Sequence, residues 1–75
     1  MKAREVIRAI QRAGGVETRQ VGSHKRFVVD YTKMDGTPAK AFTTVAVHGG
    51  DIPHGTLVSI EKALEPALGK GWLQK

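Results

Sequence analysis

Cysteine is absent from this chain of 75 residues, which excludes disulfides and thiolate metal sites. That absence fits a reducing compartment. No apolar run approaches the about 20 residues needed to span a bilayer. The start, "MKAREVIRAI", lacks the apolar centre of a signal peptide, because Arg4, Glu5 and Arg8 interrupt it. A cytoplasmic protein without a membrane role is expected. Carboxylates are sparse and scattered: Glu5, Glu17, Asp30, Asp35, Asp51, Glu61 and Glu65 form no cluster of the kind a two-metal nuclease needs. No phosphate-binding or dinucleotide motif occurs, since "GG" and "GKGW" lack the required context. Repeats and low-complexity segments are also missing. A chain this short holds one domain with a small core.

What is present is positive charge, unevenly placed. The net charge is +5, and all of the excess lies in residues 1–40, with nine Lys/Arg against four Asp/Glu; residues 41–75 hold three of each. A polyanion would be drawn to the first half by counterion release and steering. Charge alone does not separate this reading from an ordinary soluble surface.

The apolar pattern predicts α-β-β-β-α. Ala3, Val6, Ile7, Ile10 and Ala13 recur at helical spacing over residues 2–13. Arg4, Arg8 and Arg12 form a stripe on another face, which reads first as a solvated face and second as a phosphate track. Gly14-Gly15 ends the helix. "VETRQV" (16–21) is a short strand. "KRFVVDYTK" alternates, with Phe27, Val29 and Tyr31 on one face and His24, Arg26, Val28 and Asp30 on the other. "MDGT" (34–37) carries the Asp-Gly hairpin signal, and "AKAFTTVAV" (39–47) is the returning strand. "HGGDIPHG" (48–55) is a loop, after which Thr56 is placed to cap a second helix carrying Leu57, Ile60, Ala63, Leu64, Ala67 and Leu68. Pro66 is expected to break or kink that helix near Glu65. Two helices on one face of a three-stranded antiparallel sheet make an α+β domain whose order and size resemble the double-stranded-RNA-binding fold.

Among candidate chemistries, His48, Asp51 and His54 share a loop, but their spacing matches no established zinc pattern, so no metal site is expected. Ser23 beside His24 lacks a third group to orient a hydrolase pair. The stretch "GSHKRF" (22–27) is more informative. His24 stands at a turn-to-strand junction with Lys25 and Arg26 after it and Arg19 on the strand before. An imidazole that moves a proton near neutral pH, among cations that hold a phosphate, is a minimal kit for RNA cleavage without a metal. Composition alone favours a turn histidine beside solvent-facing cations.

The ordered set of features shifts that weighting. A basic amphipathic helix ending in "GG", then Arg19, "GSHKRF", the "DG" hairpin, "VAVHGGDI" and "GTLVSIEKAL" together resemble the HicA toxin family over about residues 2–64. The resemblance implies a double-stranded-RNA-binding-like fold and a cofactor-free mRNA interferase. It implies His24 as the catalytic residue, and a HicB-type antitoxin that neutralises the toxin by covering the His24 face. With the resemblance, Arg19, Ser23, Lys25, Arg26 and His48 become the expected RNA-binding residues. The chain departs from the family pattern at Val16, where an aromatic is frequent, at Ala46, where proline is frequent, and at Pro66. Residues 65–75 fall outside the resemblance as a divergent tail of the single domain expected over 1–75. Two other classes remain open at this level: a non-catalytic RNA-binding module, and an interaction protein whose apolar tail, Trp72 and Leu73, docks on a partner.

Overall fold

The computed structural model describes residues 1–74 and has the expected α-β-β-β-α layout. Helix α1 is Ala3–Arg12, strands β1, β2 and β3 are Val16–Val21, His24–Thr32 and Pro38–Ala46, and helix α2 is His54–Leu68. A short 3₁₀ turn, Trp72–Gln74, follows. The sheet is antiparallel in the order β1-β2-β3.

Each boundary has a local cause. At the start of α1, the Glu5 carboxylate accepts the backbone N–H of Lys2 at 2.8 Å, satisfying a donor that the first turn leaves free. At its end, the Gly15 N–H donates to the Ile10 carbonyl at 2.8 Å. A Cβ on Gly15 would lie 2.3 Å from Ile10 Cγ2, so the chain can leave the helix this tightly only at glycine. In the β2–β3 hairpin, Asp35 Oδ1 accepts from both the backbone N–H and the hydroxyl of Thr37. Those two bonds, the hydroxyl first, hold the Asp35 pKa below its ordinary value.

The core fills the space between the helices and one sheet face. Phe27 and Val29 from β2 and Ala41 and Val45 from β3 meet Val6 and Ile10 of α1 and Ile60 and Leu64 of α2. The alternation read from residues 24–31 is therefore realised, with Phe27 fully buried. Every residue of β1 is exposed, because the helices pack over β2 and β3 and leave β1 as a free edge.

Two expectations, the Thr56 cap and a break at Pro66, are corrected, and one open alternative, the docking tail, loses its footing. Thr56 does not cap α2: the helix begins two residues earlier, at His54, led in by Pro53 at φ −56°. Pro53 stands at the N-cap in an extended conformation (ψ 146°), makes no side-chain cap, and its carbonyl accepts the first helical bond, from the Leu57 N–H at 3.0 Å. Pro66 does not end α2, which runs on to Leu68. Its missing N–H deprives only the Lys62 carbonyl, in the last two turns of the helix. Lys62 and Pro66 are both exposed, so water can serve that carbonyl. The tail is not a free docking segment either. Trp72 and Leu73 are each 8% exposed and belong to the core, and the Trp72 indole N–H donates to the Glu61 carbonyl at 2.8 Å.

No helix among the described residues is long and apolar enough to cross a membrane.

Candidate active site on the open sheet face

The helices cover one face of the sheet and leave the other bare. Pairing in register sorts that bare face into rungs. Val16, Val28 and Phe42 form one rung across the three strands. Arg19, Arg26 and Thr44 form the next, and Val21, His24 and Ala46 the one after it. An apolar rung, a cationic rung and a histidine rung thus lie side by side, with the Asp30–Lys40 ion pair (2.5 Å) beyond the apolar end.

Two local devices produce this order. The β1–β2 turn has only Gly22 and Ser23 between paired Val21 and His24. Gly22 sits at φ +58°, the left-handed value that a type II′ hairpin requires at its first central residue. The Gln20 side-chain amide donates to the Gly22 carbonyl at 3.0 Å, and the Val47 N–H donates to the Ser23 carbonyl at 2.6 Å. His24 is thereby delivered, exposed, as the first residue of β2. The second device is a bulge between Glu17 and Arg19. An extra residue reverses the side-chain alternation, so Arg19 and Val21 share the open face with Val16.

The electrostatics follow from what is left unpaired. Ion pairs among the described residues are Lys2–Asp51, Lys25–Glu17 and Lys40–Asp30; none uses an arginine. Arg19 and Arg26 stand directly opposite each other on neighbouring strands, an arrangement of like charges that costs stability until an anion joins them. The Arg26 guanidinium lies 5.0 Å from the centre of the Phe42 ring. Arg19, Val21, His24, Arg26 and Thr44 line a shallow depression of about 180 Å³. A phosphate seated there meets two guanidinium groups and an imidazole.

Not every residue singled out in the sequence arrives at this place. His24, Arg19 and Arg26 do, and Ser23 borders it in the turn. Lys25 points to the other side of the sheet, where its ammonium is 3.5 Å from the Glu17 carboxylate. His48 lines a separate depression of about 410 Å³ with Lys2, Arg4 and Gly49, beside the start of α1. The arginine stripe of α1 is exposed on the helical layer, away from the open face. His48, Asp51 and His54 do not gather, and no group of three His, Asp or Glu side chains placed to hold a metal occurs among the described residues. Thr44, Val21 and Phe42 were missed. The alternation in "AFTTVA" carried the signal for Thr44 and Phe42; the bulge that turns Val21 outward left none.

Fold and site define a two-layer α+β domain with a histidine set among unpaired arginines on its open sheet face. The chain belongs to the HicA toxin family: the family model described as HicA toxin of bacterial toxin–antitoxin matches residues 3–65. It is therefore the toxin component of such a module, and membership implies a cognate antitoxin. No curated protein and no solved structure matches the chain.

Proposed function

We propose that this toxin is an endoribonuclease that cleaves mRNA in the cytoplasm with His24 as its catalytic residue, needing no metal or cofactor. The observation that carries the reading is the adjacency of His24 to the unpaired Arg19–Arg26 pair on an open, solvent-facing sheet. The two guanidinium groups hold the scissile phosphate and offset the charge that builds on it. The substrate supplies its own nucleophile. The ribose 2′-oxygen bonds to phosphorus, the bond from phosphorus to the 5′-oxygen breaks, and the products are a 2′,3′-cyclic phosphate and a free 5′-hydroxyl. His24 either takes the 2′-hydroxyl proton or gives one to the departing oxygen, and solvent water serves the other proton transfer. The protein has only to position groups and move protons.

The antitoxin fits the same place. A HicB-type partner with an acidic surface would neutralise Arg19 and Arg26 and cover His24, excluding RNA by occupancy.

The test is His24→Ala. The side chain is exposed, so the variant folds as the parent does, and its RNA cleavage falls by about 10²–10⁴-fold, the usual contribution of a general acid or base. A folded variant that cleaves at the parental rate refutes the assignment. RNA that is bound but never cut by the parent points to a binding module instead.

A further inference from the structure

The apolar rung has no role in the chemistry above, yet its composition and place are specific. Val16 is 61% exposed and Phe42 44% exposed, and both share the rung with half-buried Val28. Single exposed apolar side chains are ordinary on a protein surface. Three aligned across every strand of a bare sheet, one of them aromatic, form a platform that water covers at a cost.

We infer that Phe42, backed by Val16 and Val28, is a stacking subsite for an RNA base flanking the scissile bond; this rests on the RNA-cleaving reading. Charge complementarity selects the occupant. Next to the platform lies a rung with two unpaired guanidinium groups and no carboxylate, and the Arg26 guanidinium leans over the Phe42 ring itself. A single strand of RNA alternates the same two elements, a flat π surface and a negative phosphate. Base–aromatic stacking next to a cationic track is how sheet surfaces commonly hold single strands. The spacing sets which base is held. Phe42 lies four residues along β3 from Ala46, the partner of His24. At ~3.3 Å per residue that is about 13 Å, too far for the base at the cleaved bond but within reach of a neighbour. Arg26, between them, holds the scissile phosphate, and the strand runs on from there to the ring. The subsite thus fixes the register of the strand over His24.

The experiment measures binding of short RNA oligonucleotides by fluorescence anisotropy. Each carries 2′-deoxyribose at the cleavage position, and an abasic site is moved one nucleotide at a time. The parent protein should lose roughly tenfold in affinity at one flanking abasic position, as expected for a stacked base. Phe42→Ala should bind the intact strand roughly tenfold more weakly and be indifferent to that abasic position, while Phe42→Trp keeps the parental profile. A folded Phe42→Ala with the parental abasic profile overturns the subsite. So does a Phe42→Ala that loses antitoxin binding but holds RNA as before, which would make the rung a protein interface. Cleavage of unmodified RNA by the same proteins separates the two claims. Stacking without cleavage removes the catalytic reading and keeps the platform, whereas cleavage with an unaltered Phe42→Ala profile does the reverse.

Discussion

Arg26 and Lys25 are consecutive and carry the same charge, yet strand alternation puts them on opposite faces of the sheet. Arg26 points to the open face beside Arg19 and has no carboxylate partner among the described residues, whereas Lys25 is turned away and paired with Glu17. Their contributions to RNA binding should differ accordingly. A Lys or Arg that neutralises one phosphate of a single strand changes the slope of log K against log salt by about 0.7. Arg19→Ala and Arg26→Ala should each flatten the slope by roughly that amount. Lys25→Ala should leave it nearly unchanged. Equal effects from all three would mean that RNA responds to overall charge and does not sit on the arginine rung. The sequence named "KRF" as one basic cluster, since proximity along a chain is visible there. Alternation along β2 already set Arg26 on the His24 face and Lys25 on the other; the facing of Arg19 depends on a bulge that leaves no mark in residue types.

At the scale of elements, the helical periodicity of α1 and the alternation of β2 were legible because each buries one face, and burial selects residues at every second or every third to fourth position. β1 was legible only as a strand. With neither face covered by the helices, its six residues carry no burial pattern. The last residues were the least legible. "GKGWLQK" reads as a loose end, because a tryptophan in a Gly-rich stretch does not reveal which surface it will meet. In the fold it meets α2, and its indole N–H is bonded to the Glu61 carbonyl. Trp72→Ala should remove that bond and open a cavity, at a cost of about 3–5 kcal/mol. In a domain this small such a loss lowers Tm by more than ~10 °C. Trp72→Phe, which keeps most of the apolar area, should recover much of it. Unchanged thermal stability in Trp72→Ala, together with lost antitoxin binding, would restore the tail as a docking segment.

For the molecule as a whole, the two layers divide the work. The helical layer and the inner sheet face hold the fold together. The outer sheet face carries the arginine pair and the histidine, and nothing in the core depends on His24 or Phe42. Under the proposed function, an acidic face of the antitoxin and the RNA would compete for this bare charge, one exclusive occupant at a time. Membership of the HicA family fixes the toxin role, whereas the chemistry of cleavage is the central proposal and stands or falls on the nucleophile. The direct measurement is cleavage of an RNA oligonucleotide in excess chelator, with the ribose at the scissile position either intact or replaced by 2′-deoxyribose. The intact strand should be cut to a 2′,3′-cyclic phosphate, or the phosphate it hydrolyses to, and a free 5′-hydroxyl, and the deoxy strand should be bound but not cut. Cutting of the deoxy strand at the same bond, or cutting that stops with chelator and leaves a 5′-phosphate, would contradict it.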